Sequence, residues 1–255
     1  MLIQLDHVKK EYEDFTLELD MHIPENRVTG LIGANGAGKS TIFKLMLGLI
    51  RPDAGDVKVF EKKAGELSAE DRQKIGTVFS DSGFSEYLTV QQVGRIMQEF
   101  YLDFEPEQFY RRCEYFHIPQ KKKIKEFSTG MKAKLKILLA VSHDSRLLIL
   151  DEPTAGLDVI AREEILDLLR EYMEVPGRSV VLSSHISGDL EHFCDDLYMI
   201  DKGKIVLHEE TDRIMEEYGL LKMSEQEFTG LDKEYLLRVR KESFGYSCLT
   251  DQRTY

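Results

Sequence analysis

The sequence is short of basic residues, of cysteines and of long apolar runs. Its 255 residues hold 34 lysines and arginines against 46 aspartates and glutamates, a formal net charge of −12. So acidic a chain argues against general nucleic-acid binding, because phosphate backbones attract basic surfaces. No apolar stretch approaches the ~18–20 residues that cross a bilayer. The N-terminus lacks the basic, apolar and small-residue zones of a secretory signal. These absences lead us to expect a cytoplasmic protein that meets a membrane only through a partner. Cys113, Cys194 and Cys248 are far apart and show neither metal-ligand spacing nor a disulfide framework. Internal repeats, low-complexity tracts and sustained heptads are also missing. What is present, 42% hydrophobic and 31% charged residues, suffices for one large domain or one domain with an inserted lobe.

The most informative segment is Gly33-Ala34-Asn35-Gly36-Ala37-Gly38-Lys39-Ser40-Thr41. It fits the phosphate-loop pattern G-x-x-x-x-G-K-[ST] without a mismatch. Backbone N–H groups must surround a triphosphate, and a Cβ would block their approach, so glycines recur. Lys39 reaches the β- and γ-phosphates, and the Ser40 hydroxyl is placed to ligate Mg²⁺. The context agrees. Residues 28–32 read as a short buried strand, and Ile42 to Leu47 as a helix that ends near Gly48. Strand, loop and helix place the phosphates on a helix N-terminus, where free N–H groups and the dipole favour anions. ATP and Mg²⁺ are the expected ligands.

Around this loop the pattern is mixed. Phe15, Leu17, Leu19, Met21 and Ile23 alternate with polar residues, as does Asp56 to Phe60, which predicts antiparallel strands in the first lobe. Thr89 and Gln92 fit a capping box that opens a helix to Tyr101. Pro106 opens a second helix, with Phe109, Cys113 and Phe116 on one face, and Ser128 to Val141 forms a third. Residues of about 85–142 thus read as an inserted helical lobe. Leu147 to Leu150 is a strand apolar on both faces. Ile160, Ile165, Leu168, Leu169 and Tyr172 mark a helix, and Ser179 to Ser183 the next strand. The alternation implies an α/β fold with a mostly parallel sheet. Past Leu207 the chain turns polar, with helices expected from Ser224 and over Leu231 to Arg240.

The strand over Leu147 to Leu150 ends in Asp151 and Glu152. Ligands of such sheets sit beyond the carboxyl ends of the strands, so Asp151 is placed to hold Mg²⁺ and Glu152 to polarise a water against the γ-phosphate. Ser128-Thr129-Gly130-Met131 stands at a helix start, Ala155-Gly156-Leu157-Asp158 follows the acids, and His185 follows a strand. Alone, Ser128 reads as a helix cap and His185 as a structural histidine. Taken together and in this order, the motifs resemble the nucleotide-binding subunit of ABC transporters, over residues 1 to about 210.

The resemblance implies a P-loop ATPase core with a mostly parallel sheet, an N-terminal antiparallel β subdomain and an inserted α-helical subdomain. Residues 1–210 would be the ATPase domain and 211–255 a C-terminal helical appendix. It implies a head-to-tail dimer, with itself or with a related ATPase subunit. In that dimer Ser128, Thr129 and Gly130 would complete the phosphate shell of the other copy's ATP, and Asp158 would lie in the loop that crosses the interface. His185 would touch the γ-phosphate beside Glu152. Tyr12 would stack on adenine, against the plainer reading of a half-buried strand tyrosine. The implied partner is a separate membrane permease, with the subunit on the inner face of the cell membrane.

Two departures stand out. Ser80, followed by Asp81, occupies the place of the family's usual glutamine, and Met131 stands where glutamine is commoner. Both resemble exporter-type ATPase subunits linked to drug or peptide-antibiotic resistance. A soluble regulatory or translation-associated ATP switch, and a degenerate ATP-binding subunit in a heterodimer, stay open as alternatives. The basic run over Lys121 to Lys125 reads as a solvated face.

Overall fold

Alternating residues in the first lobe build strands with one buried side. In the antiparallel pair of β1 (Ile3–Tyr12) and β2 (Phe15–Ile23), Leu17, Leu19, Met21 and Ile23 are buried while Glu18, Asp20 and His22 are exposed. The computed structural model describes residues 1–79, 84–185, 187–243 and 245–253. Two units are distinct, residues 1–208 and 209–255.

In the larger unit, β3 (Val28–Ile32) runs through the glycine loop into α1 (Lys39–Met46). The strand β4 (Ala54–Val59) pairs with β1, and β5 (Lys62–Lys63) completes a four-stranded sheet in the order β2-β1-β4-β5. The short helix α2 (Ala69–Gln73) leads to β6 (Ile75–Val78), where the chain leaves the sheet. Three helices follow, α3 (Val90–Phe100), α4 (Pro106–Tyr115) and α5 (Thr129–Ala140). The expected capping box opens α3, with Thr89 N–H donating to Gln92 Oε1 at 2.9 Å and Gln92 N–H to Thr89 Oγ1 at 3.3 Å. The chain then re-enters the sheet as β7 (Leu147–Asp151), directly beside β6. The elements α6 (Val159–Met173), β8 (Ser179–Ser183), α7 (Ser187–Glu191), β9 (Asp196–Asp201) and β10 (Lys204–Glu210) follow.

The six-stranded sheet runs β10-β9-β3-β8-β7-β6. Parallel pairing joins β3 to β8 and β9, and β7 to β6 and β8. Leu147, Leu148, Ile149 and Leu150 are all fully buried, as a strand covered on both faces requires. Ile42, Phe43, Leu45 and Met46 of α1 share one core with Leu5, Leu19 and Val59 of the first sheet and Leu31, Ile149 and Val181 of the second. Each such side chain contributes about 1.5–3 kcal/mol on burial. The helix that follows the loop is therefore anchored on both sides. Ile160, expected on the apolar face of α6, is instead exposed, because it lies in the first turn, ahead of the buried stripe that begins at Ala161.

The smaller unit corrects the expectation of a helical appendix. It contains two helices, α8 (Thr211–Glu217) and α9 (Glu225–Gly230), the second opened by a Ser224–Glu227 capping box. The helix expected over Leu231 to Arg240 does not form. Instead β11 (Gly219–Met223), β12 (Arg238–Glu242) and β13 (Gly245–Thr250) make an antiparallel sheet in the order β11-β13-β12. Cys248 and Thr250 are buried on one face, and Tyr246 stacks on Phe228 with ring centroids 3.9 Å apart. The side chains of β11 and β12 stay mostly exposed, so backbone pairing onto β13, more than burial, replaces a weak local helical preference.

Candidate active site

Three adjacent parallel strands, β3, β8 and β7, deliver their carboxyl ends to one edge of the sheet, the position at which such sheets bind ligands. Beyond β3, Gly33 lies so close to β9 that a Cβ would come within 2.5 Å of the Ile200 carbonyl oxygen. Ala34, Asn35 and Gly36 form the crest of the loop, closed by Ala37 N–H donating to the Ala34 carbonyl at 3.0 Å. Gly38 caps α1 at φ +117°, and a Cβ there would sit 2.8 Å from Leu17. The β9–β10 turn braces the loop. Gly203 N–H donates to the Ala37 carbonyl at 3.0 Å, and the Gly203 carbonyl accepts from Glu18 N–H at 2.8 Å. The N–H groups of the first turn of α1, led by Lys39, Ser40 and Thr41, have no intrahelical acceptors and face an anion with the positive end of the dipole.

The chemistry-bearing side chains close into a ring. Lys39, 7% exposed, donates through Nζ to the Gly33 carbonyl at 2.7 Å and lies 3.5 Å from Glu152 Oε1. Ser40 Oγ donates to Asp151 Oδ2 at 2.8 Å. Ser183 Oγ donates to Asp151 Oδ1 at 2.7 Å and accepts the Glu152 N–H at 2.9 Å. Glu152 Oε2 is hydrogen-bonded to His185 Nδ1 at 2.6 Å. Glu152 holds φ at +51°, a left-handed conformation that a non-glycine residue keeps only when its surroundings impose it, as at functional sites. The imidazole of His185 is 57% exposed and opens this end of the ring to solvent.

Among the described residues, no group of three or more His, Cys, Asp and Glu side chains makes a metal cage. Ser40 Oγ and Asp151 Oδ2 are hard oxygen donors side by side. Mg²⁺ uses one or two such protein ligands and completes its shell with water and substrate phosphates. The donor set fits Mg²⁺ that arrives with a nucleotide.

The remaining expected residues lie outside the ring. Tyr12 is exposed, its ring centroid 6.3 Å from that of Phe15. The Phe15 edge in turn lies against Gly38, so Tyr12 stands next to the loop and open to solvent. Ser128 caps α5, its Oγ accepting from Met131 N–H at 3.2 Å, with Thr129 and Gly130 in the first turn. Asp158 caps α6 by accepting from Ala161 N–H at 2.9 Å, followed by Val159 and Ile160, which are 74% and 75% exposed. Ser80 and Asp81 lie outside the described residues. Sequence reasoning missed Ser183 and Gly203. The signal for Ser183 was a polar residue ending an apolar strand two positions before His185. The signal for Gly203 was a Lys-Gly turn between two alternating strands.

A cavity of about 1100 Å³ opens between the helical lobe and the parallel sheet. Phe79, Met97, Phe100, Leu135, Asp151 and Glu152 are among the residues that line it.

Comparison with known proteins agrees with this geometry. The family described as ABC transporter matches residues 17–155. The lantibiotic transport ATP-binding protein SrtF of Streptococcus pyogenes is 34% identical over 217 residues, covering 83% of this chain and 92% of that protein. The bacitracin transport ATP-binding protein BcrA of Enterococcus faecalis is 31% identical over 209 residues, covering 80% of this chain and 68% of the relative. Among solved structures, an ATP-binding subunit of an ABC transporter superposes with a TM-score of 0.75 at 25% identity, covering 84% of this chain and 92% of that one. A dimeric ATP-binding cassette bound to ADP and Pi shares the fold, with a TM-score of 0.72 at 22% identity and coverage of 82% and 99%.

Proposed function

The chain belongs to the ABC transporter family of ATP-binding proteins, and from that premise we propose how its residues carry out ATP hydrolysis and pass it on. It is an ATPase subunit that powers transport by a separate permease. The observation that carries the assignment of residues is the closed ring of Lys39, Glu152, Ser183, Asp151 and Ser40, open at His185.

The glycine loop from Gly33 to Thr41 cradles the β- and γ-phosphates of ATP with its N–H groups. Lys39 exchanges the Gly33 carbonyl and the Glu152 carboxylate for phosphate oxygens. Tyr12 offers its exposed face to the adenine. Ser40 and Asp151 hold Mg²⁺, which neutralises charge on the phosphate oxygens when bound. Freed of Lys39, Glu152 orients the attacking water and accepts its proton, and His185 holds the carboxylate while reaching the γ-phosphate. The exposed tips of α5 and α6 supply the rest in trans. Ser128, Thr129 and Gly130 of a second copy or a related subunit face the γ-phosphate, and Asp158 lies in the crossing loop.

Among the described residues, no helix is long and apolar enough to cross a membrane. In our reading the permease provides the membrane path and holds the subunit at the inner face. The cavity beside the helical lobe supports docking of a permease segment there, because both catalytic acids are among the residues that line it. The relatives named for lantibiotic transport, bacitracin transport and linearmycin resistance support export of an amphiphilic or peptide-like antibiotic.

The test is Glu152→Gln. Nucleotide binding stays, turnover falls by ~10²–10⁴-fold, and an ATP-bound dimer accumulates on size exclusion. Unchanged turnover removes Glu152 from the base role.

A further inference from the structure

Resting on the site assignment above, we propose that Ser183 is the positioning residue that sets the two acids of β7 in their separate roles. Asp151 and Ser183 are direct partners on neighbouring parallel strands. The register brings the hydroxyl of the fully buried Ser183 against both Asp151 and Glu152. A serine hydroxyl has one proton to donate and lone pairs to accept with. Here the proton goes to Asp151 Oδ1 at 2.7 Å, and a lone pair takes the Glu152 N–H at 2.9 Å.

Each bond has a separate consequence. With Oδ1 engaged by Ser183, Oδ2 of Asp151 is turned to Ser40, the pairing that holds the metal. The Glu152 N–H belongs to a residue at φ +51°, which needs a fixed acceptor to keep its peptide from relaxing. Once anchored there, the Glu152 side chain places Oε2 on His185 and Oε1 3.5 Å from Lys39. Ser183 touches neither nucleotide nor water in this scheme. It acts through Asp151 and Glu152, as partners of metal-holding groups do elsewhere.

The experiment compares Ser183→Ala with Ser183→Thr, which restores the hydroxyl on a β-branched frame suited to a strand. Three readouts are taken: kcat and KM for ATP, the Mg²⁺ concentration for half-maximal binding of a fluorescent ATP analogue without turnover, and binding of that analogue in EDTA. Losing such an outer partner typically costs ~10–100-fold in metal affinity or activity. Ser183→Ala is expected to lower kcat and raise the Mg²⁺ requirement by about 10-fold each. KM and EDTA binding stay within about twofold of wild type, and Ser183→Thr recovers most of kcat. Wild-type kcat and Mg²⁺ dependence in Ser183→Ala overturn the proposal. So does a matching fall in EDTA binding, which signals a general structural role. If Glu152→Gln turns over normally, the site assignment itself fails; if Glu152→Gln is inactive while Ser183→Ala is normal, only the role of Ser183 fails.

Discussion

At the strand ends, Lys39, Asp151 and Ser183 are buried, and their polar atoms bond to one another or to the glycine loop. At the tips of α5 and α6, Ser128 and Asp158 are exposed and bond the first turn of their own helices. In one region the polar groups pair within the chain, although among the described residues Glu152 Oε1 has no hydrogen bond and meets only Lys39, at 3.5 Å. The other holds two helix N-termini, positive by their dipoles, beside exposed Val159 and Ile160. In the proposed function, the contrast separates what a single chain pre-organises from what a second chain would complete. A buried ring can be preset because its partners lie in the first turn of α1 and at the ends of the adjacent strands β7 and β8. In the proposed dimer, a helix tip that meets a neighbour's phosphate stays open until that neighbour arrives.

The sharpest way to break this comparison is to disable each region separately and mix the products. Lys39→Ala and Ser128→Arg are each expected to lose turnover by about 10²-fold or more when alone. Mixed in equal amounts, they regain roughly a quarter of wild-type activity, since half of random pairs are mixed dimers with one intact site of two. A mixture as inactive as its parts means that the two regions do not serve one composite site.

The next effect is on the brace behind the loop. Gly203 has φ +79°, and a Cβ there would come within 2.0 Å of the Thr16 carbonyl oxygen. Gly203→Ala should therefore cost about 1–3 kcal/mol, seen as a lower thermal midpoint together with weaker nucleotide binding. Gly156, at φ +71° with nothing within 4 Å of the place a Cβ would take, is the control beside Asp158. Gly156→Ala carries the backbone cost alone, about 1–2 kcal/mol, and leaves Mg²⁺-free nucleotide binding unaltered. Equal effects at both glycines would erase the distinction between the braced and the open region.

The smallest effect concerns the wall of the cavity. His143 is buried against Tyr101, ring centroids 4.1 Å apart, and burial holds its imidazole below the ordinary value of 6.5. The nearby backbone of Leu139 and Ile75 and the Asp144 carboxylate oppose that shift, while Arg178 adds to it. As pH falls below 6.5, the unfolded chain takes up the proton before the native one does. The stability present above that pH is lost progressively towards the lowered native value. His143→Gln should flatten this part of the pH dependence, measured by urea midpoints between about pH 7.5 and pH 5.5. An unchanged slope means His143 does not contribute to it.

Sequence and structure agree where the governing interactions are local. The glycine loop, the capping box at Thr89 and the apolar run before Asp151 each act over a few residues, so spacing reveals them. The tail departs from its local pattern because pairing between strands decides it, through the β12–β13 hairpin and the more distant β11. Leu220 pairs with Leu249, and Val239 with Cys248, and no periodicity over Leu231 to Arg240 reports either pairing. Ser183 escapes for the same reason, since its value depends on which strand lies beside it.

By itself the sequence determined the chemistry on offer: a phosphate cradle, a lysine, a hydroxyl, two acids and a histidine, in an order that marks an ATPase. Only the tertiary structure decided that residues 39, 40, 151, 152, 183 and 185 meet, that Ser183 bridges the two acids, and that Ser128 and Asp158 face outward. The physical reason is that loop chemistry is written in neighbouring residues, whereas strand order in a parallel sheet is settled by burial across the whole core.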